Sequence, residues 1–122
     1  MDTAKANEVL VPYMINIIEK KAGKKFNYSL NMANDALKHS EYMMSQKKAV
    51  PTPENLLYCN ENLANFTVPS KYLKIAILNM INKWFRYSQS KNKIMNSNEM
   101  GIGICLKEKD NMSTIFITQR MR

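Results

Sequence analysis

The chain has 122 residues, of which 45% are hydrophobic and 23% are charged, and this balance predicts one folded domain and excludes a disordered chain. The formal net charge of +8 comes from eighteen Lys and Arg against ten Asp and Glu. The bases are mostly scattered lysines without an aromatic–basic module, so we expect no nucleic-acid partner. No apolar run reaches the roughly 20 residues that span a bilayer, and three glycines are too few for a phosphate-binding loop.

The first element is predicted to be a helix, because apolar residues recur at helical spacing from Leu10 onward. Pro12 is expected in or near its first turn, where a missing N–H costs little. Gly23 is expected to end it, with Lys20 and Lys21 favourable in the last turn. The predicted stripe is Leu10, Met14, Ile17, Ile18 and Ala22.

A second helix is predicted from about Asn27 to about Gln46, before two prolines in "VPTP" end the pattern. His39, the only histidine, lies at the edge of its buried face. One predicted stripe is Leu30, Ala33, Leu37 and Met44, and a neighbouring one is Met32, Ala36, His39 and Met43.

The segment "NLLYCNENLANFTV" is rich in aromatic and branched residues and predicts a strand around Leu57 to Phe66. Pro69 and Ser70 are expected to open a third helix, whose wide apolar face predicts that it is the most buried one. The predicted stripe is Leu73, Ile77, Met80, Ile81 and Trp84, widened by Ile75, Leu78 and Phe85.

After a polar loop, "MGIGICLKE" and "MSTIFITQ" predict two strands joined by a turn at "KDN". Gly101 and Gly103 are two residues apart on one side of the first strand, where a helix can approach closely. Three helices must then cover a small, mainly antiparallel sheet. We therefore expect an α+β fold with three layers, an α-β-α sandwich, formed by residues 1–122 as a single domain.

The two cysteines, Cys59 and Cys105, belong to no C-x-x-C pair, so they predict neither a zinc ribbon nor a redox motif. Two interpretations stay open. They form one disulfide if the chain is exported, or they are two buried small apolar residues.

Five segments in order, from about Val9 to Gln119, resemble the CAP superfamily of cysteine-rich secretory, antigen 5 and pathogenesis-related proteins. Their helix L-x-x-A-x-x-H-S-x-x-M resembles "LNMANDALKHSEYMM", and G-E-N-I-A resembles "CNENLANF", with Asn60 in place of glycine. The other three segments are "LVPYMINIIEKKAG" with Asn16, "KWFRYSQSKNKIMN" and "MGIGICLKEKDNMSTIFITQ". The resemblance implies a three-layer α-β-α sandwich.

Many members of this superfamily carry a cleft tetrad of two His and two acidic residues that suits a zinc-like ion. The resemblance equates Glu61 with the first acid, Tyr87 with the second, and Ser90 with the second histidine. The first histidine would fall in "KKAVPT", which has none. Only Glu61 of the four is kept, so we expect no metal, no cofactor and no catalytic residue.

His39 matches the helical His-Ser of the superfamily, which is not a tetrad histidine, and we expect it to tie the helix into the sandwich by a hydrogen bond. A nucleophile pair of His39 with Cys59 or Cys105 has no orienting third residue. Glu61 and Asn62 are expected to stabilise the strand–helix junction, unless Glu61 is a remnant of a metal site. Trp84 is expected to be structural.

The resemblance implies a non-catalytic, extracytoplasmic domain, not an enzyme. The Lys-, Asn- and Ile-rich composition favours a bacterial surface lipoprotein that binds a host or envelope macromolecule as a monomer. Its only membrane contact would be a lipid anchor after a leader outside this segment. The alternative is a sterol or fatty-acid carrier in which some of the ten methionines line an adaptable pocket. The other interpretation of these methionines is that they fill the core.

Overall fold

The computed structural model describes all 122 residues, and its helices and strands alternate only in part along the chain. In chain order the elements are α1 (Thr3–Ala22), β1 (Asn27–Tyr28), α2 (Leu30–Gln46), β2 (Asn60–Pro69), α3 (Leu73–Arg86), α4 (Ser88–Met95), β3 (Glu99–Lys109) and β4 (Met112–Met121). Two short 3-10 turns, Glu54–Leu56 and Ser70–Tyr72, flank β2. None of the helices combines the length and apolar character that a membrane span requires.

The four strands form one sheet in the order β1-β3-β4-β2. Only the two-residue pairing of β1 with β3 is parallel, and the long pairings of β4 with β3 and with β2 are antiparallel. Helix α2 packs on one face of this sheet, whereas α1 and α3 pack together on the other. This arrangement confirms the predicted α+β class with three layers and a small, mainly antiparallel sheet.

The side chains of β3 point alternately to the two faces of the sheet. Met100, Ile102, Ile104 and Leu106 point into the main core with α1 and α3. The residues between them face α2, because side chains alternate across a strand. That main core also contains the complete predicted stripe of α3, which is confirmed: Leu73, Ile77, Met80, Ile81 and Trp84 are all buried.

Gly101 and Gly103 allow α2 to lie unusually close to the sheet, as the sequence predicts. A Cβ atom at Gly101 would lie 2.2 Å from the backbone nitrogen of Ala33, and one at Gly103 would lie 2.1 Å from that of Leu37. Small residues on the helix complete this contact, since Ala36 and Ser40 are fully buried.

The β3–β4 hairpin turns at Asp110 and Asn111, which confirms the predicted turn. Both residues have positive φ, 53° and 62°, as a two-residue turn between twisted antiparallel strands requires. Asp and Asn tolerate this left-handed conformation better than other non-glycine residues.

The predicted position of Pro12 is wrong, because α1 begins two turns earlier, at Thr3. The side chain of Asp2 caps this start by accepting from the backbone N–H of Lys5 at 2.8 Å. Pro12 lies exposed in the middle of the helix, and buried Ala6 extends the apolar stripe toward the N-terminus. The end of the helix is as predicted, because Gly23 has φ 70° and donates to the carbonyl oxygen of Glu19.

The predicted start and first stripe of α2 are also wrong. Asn27 and Tyr28 form β1, and Ser29 caps a helix that begins at Leu30, which is 72% exposed. The buried face is instead the neighbouring stripe, in which Ala36 packs against the backbone of Gly103. Met32, Ala36 and Met43 of that stripe are buried as predicted, whereas the fourth buried residue is Ser40 and His39 is only half-buried.

Three further differences follow from weak local signals. Strand β2 begins at Asn60 rather than Leu57, since residues 54–56 form a 3-10 turn. The predicted polar loop after α3 contains α4, whose only buried residue, Ile94, gives no periodic pattern. Ile75 does not widen the buried face of α3 but is 58% exposed.

Candidate functional site

A polar cleft of about 460 Å³ lies where β2 begins, beside the loop that follows α2 and the N-terminal half of α4. Two positions that the sequence comparison singled out meet in it, Glu61 on β2 and Ser90 on α4, and Thr52 at the end of the "KKAVPT" segment lies beside them. Lys93, one turn further along α4, lines it as well. Tyr87 does not reach this cleft; it is 62% exposed and lies in the neighbouring groove between β2 and α3.

Both carboxylate oxygens of Glu61 are occupied by groups of the chain itself. Oε2 accepts from the backbone N–H of Thr52 at 3.0 Å, and Oε1 accepts from the hydroxyl of Thr52 at 2.8 Å. Oε1 also accepts from Nε of Arg120 at 3.3 Å. The side chain of Glu61 is only 4% exposed and that of Arg120 only 9%, so the ion pair is largely screened from water.

The position of Arg120 follows from strand alternation. It lies directly opposite Glu61 across the β2–β4 pairing, and both side chains point to the α2 face of the sheet. Its Nη2 donates to the hydroxyl oxygen of Thr52 at 3.0 Å. The positive charge beside the carboxylate of Glu61 is therefore the guanidinium of Arg120.

His39 joins α2 to the loop that leads into this cleft. Its Nε2 lies 2.6 Å from the carbonyl oxygen of Val50, and because that oxygen only accepts, Nε2 carries the proton. Its Nδ1 lies 3.3 Å from the hydroxyl of Thr52. Both ring nitrogens thus face groups of the loop that carries Val50 and Thr52.

Asn62 lines the cleft beside Glu61, whereas Trp84 lies outside it, in the neighbouring groove between β2 and α3. The buried amide of Asn62 donates to Oε1 of Gln119 at 3.1 Å and to the carbonyl oxygen of Ser90 at 3.4 Å. Ser90 therefore contributes its backbone to the junction between β2 and α4. Trp84 is 5% exposed and belongs to the main core.

No group of three or more His, Cys, Asp or Glu side chains is placed to hold a metal ion. Glu61 has no imidazole or second carboxylate beside it among its hydrogen-bond partners. One carboxylate that is already paired with a guanidinium is a poor donor set for a zinc-like ion.

Cys59 and Cys105 are both free and half-buried. Cys59 directly precedes Asn60, which is level with Met100 of β3, so Cys59 is level with Glu99, six positions before Cys105. Six strand positions span about 20 Å, whereas a disulfide needs Cα atoms within about 7 Å. Burial raises the pKa of both thiols, which keeps them protonated and poorly nucleophilic at neutral pH.

Sequence reasoning missed Thr52, Lys93 and Arg120. Arg120 carried a usable signal, because it continues the alternation of Phe116 and Thr118 on the α2 face of a predicted strand. Lys93 donates to the carbonyl oxygen of Glu61 at 3.1 Å from a helix that the sequence did not predict. Thr52 lies in a loop whose path has no periodic signal.

No family model matches the chain, and no curated protein matches it in sequence. Among solved structures, the chain is similar to an outer surface protein from Borrelia burgdorferi, with a TM-score of 0.67 and 14% sequence identity. The match covers 100% of this chain and 96% of that one. The two proteins therefore share the complete three-layer fold.

Proposed function

We propose that this chain is a non-catalytic domain of the CAP superfamily, displayed on a bacterial cell surface, that binds a host or envelope macromolecule. A lipid anchor outside this segment holds it there. The whole-length similarity in fold to an outer surface protein supports the location. The five resembling segments support the family, because they fall on α1, α2, the start of β2, α3–α4 and the β3–β4 hairpin.

The observation that carries the proposal is the ion pair of Glu61 with Arg120 in the polar cleft. In a metal-binding relative of this type, the equivalent carboxylate would face an ion and two imidazoles. Here the guanidinium neutralises it, and Thr52 takes its remaining hydrogen-bonding capacity. The carboxylate in the cleft is therefore already paired with groups of the chain itself.

Other candidate catalytic groups are also engaged. Both ring nitrogens of His39 face the loop after α2. The thiols of Cys59 and Cys105 have raised pKa values, the opposite of what an activated nucleophile requires. This combination favours a binding module over a hydrolase.

Lipid carriage has less support than macromolecular binding, because the methionines that suggested it are mainly in the core. Six of the ten are buried, namely Met14, Met32, Met43, Met80, Met100 and Met121. A core position leaves them packed against neighbouring side chains rather than free to adapt to a ligand.

Antibody labelling of intact and permeabilised cells of the source bacterium tests the proposal. We expect equal labelling in both, removal of the signal by protease added to intact cells, and partition of the protein into the detergent phase of a Triton X-114 extract. A cytoplasmic protein, labelled only after permeabilisation, is the control. Labelling that requires permeabilisation would contradict the proposed location.

A further inference from the structure

The two edges of the sheet differ in how far their outward-facing backbone groups are hydrogen-bonded within the chain. Strand β1 covers only the beginning of β3, at Glu99 and Met100. Beyond it, Asn7 of α1 acts like a strand partner for Ile104: its Nδ2 donates to the carbonyl oxygen at 2.7 Å, and its Oδ1 accepts from the N–H at 2.9 Å. A side-chain amide here replaces the peptide group of a neighbouring strand.

The same protection extends along the rest of β3. The hydroxyl of Thr3 accepts from the N–H of Leu106 at 3.0 Å and donates to its carbonyl oxygen at 3.2 Å. The phenol of Tyr28 donates to the carbonyl oxygen of Ile102 at 3.3 Å. Five outer backbone groups of β3, both of Ile104, both of Leu106 and the carbonyl of Ile102, are therefore paired with side chains of the chain, which hinders the addition of a strand at this edge.

The opposite edge is β2, which pairs only with β4. The N–H of Ser70 donates to the carbonyl oxygen of Asn111, so even-numbered residues of this segment turn their backbone groups toward β4. Lys93 reaches the carbonyl oxygen of Glu61 from outside the sheet, so odd-numbered residues turn theirs away. Antiparallel pairing requires this alternation.

Residues 63–67 of β2 form what we call the open edge. Leu63, Asn65 and Thr67 point three N–H and three C=O groups outward, and none of these six has a hydrogen-bond partner outside the ladder. Lys93 closes the edge before this window, and Pro69, which has no N–H, limits it afterwards. Unpaired outward groups along a regular strand are a template for one more strand.

An apolar groove of about 570 Å³ runs beside the open edge, between β2 and α3. Phe66, Met80 and Trp84 line it, and Lys83 is its only charged residue. A strand added to β2 would place alternate side chains in this groove and its backbone on the six free groups. Strand addition of this kind combines main-chain affinity with side-chain specificity.

We propose that the open edge binds an extended acidic segment of the partner protein as an additional β-strand. Apolar side chains of that segment enter the groove, and a carboxylate pairs with Lys83. This inference rests on the proposed function as a binding domain and names the chemistry of its partner. The net charge of +8 favours an acidic segment and opposes a second copy of the chain, which would bring two equally basic surfaces together.

The test uses a synthetic peptide of about seven residues, acetylated and amidated, because the open edge spans five strand positions. Its groove-facing positions are valine, glutamate and valine in turn, with threonine between them, so that the glutamate is on the same face as Lys83. Fluorescence anisotropy of the labelled peptide gives the affinity, and amide shifts in nitrogen-15 spectra locate it. We expect saturable binding, with the largest shifts at Leu63, Asn65 and Thr67. A version with alternate N-methylated peptide bonds keeps the side chains but cannot pair, and it should bind at least about tenfold more weakly.

Two variants of the chain complete the design. Asn65→Pro removes an outward N–H without breaking the β2–β4 ladder and should weaken binding by about tenfold or more, whereas Asn65→Thr should not. Lys83→Glu, on the exposed side of the groove, should reverse the preference between the glutamate peptide and its lysine counterpart.

Absence of saturable binding up to about 1 mM would overturn this inference while leaving the cell-surface location standing on its own test. Binding that N-methylation and Asn65→Pro leave unchanged would also overturn it. So would self-association of the free chain that Asn65→Pro abolishes, because the edge would then belong to a second copy. If oleate displaced the peptide, and the peptide caused no amide shifts along β2, the groove would be assigned to a lipid and the inference would be overturned.

Discussion

Replacing Gly103 by alanine should strongly destabilise the fold, because the sheet leaves no room for a Cβ atom beneath α2. That atom would lie 2.1 Å from the backbone nitrogen of Leu37, and an ordinary contact needs 3.4 Å. The helix must therefore retreat by about 1.3 Å, since packed interiors do not absorb such an overlap. Backbone, unlike a flexible side chain, cannot swing aside.

The retreat also breaks a buried hydrogen bond. Ser40 is fully buried, and its hydroxyl lies 2.8 Å from the carbonyl oxygen of Gly103, a separation that the shift would carry beyond bonding distance. Overpacking costs about 1–3 kcal/mol and an unpaired buried polar group a further 1–3 kcal/mol, so we expect a loss of about 4 kcal/mol. In a domain of this size that lowers Tm by roughly 15 °C.

Urea unfolding followed by circular dichroism measures the effect, and Gly23→Ala is the matched control. Gly23 has nothing within 4 Å of its Cβ position, so only its positive φ opposes alanine, at about 1–2 kcal/mol. Gly103→Ala should therefore cost at least about twice as much. Equal losses in the two variants would refute the close approach of α2 to the sheet.

Three further outcomes are expected. Arg120→Met should lower the free energy of unfolding by about 3–5 kcal/mol, because it leaves the buried carboxylate of Glu61 unpaired. A double-mutant cycle with Glu61→Gln should give a coupling energy of about 2 kcal/mol, whereas additive losses would contradict the ion pair. Asn7→Asp keeps the acceptor for β3 but loses the donor, so chemical denaturation should show a loss of about 2 kcal/mol. Reduction with dithiothreitol should leave Tm unchanged, because Cys59 and Cys105 are too far apart to pair; a decrease would indicate a disulfide.

The elements with strong periodic patterns were predictable. The α3 stripe and the β3–β4 hairpin are found as expected, because their apolar spacing and turn residues carry the signal locally. Helix α4 was not predictable, since a single buried residue, Ile94, anchors it against the core. Strand β1 depends on tertiary pairing of two exposed residues with β3, which no local pattern reveals.

The candidate site was predictable only in part. The resemblance pointed to Glu61 and Ser90, which the fold brings into one cleft. It could not reveal that Arg120 pairs with Glu61, because that contact depends on the register between β2 and β4. The protection of one sheet edge by Thr3 and Asn7 likewise required the packing of α1 against β3.

The guanidinium of Arg120 pairs with the carboxylate of Glu61 in the polar cleft, and the proposal of a binding domain without a metal site rests on this pair. Isothermal titration of the purified chain with zinc chloride at neutral pH tests this most directly. We predict no saturable heat and no change in Tm with zinc, for the wild type and for Glu61→Gln alike. One-to-one zinc binding by the wild type that Glu61→Gln abolishes would contradict the account.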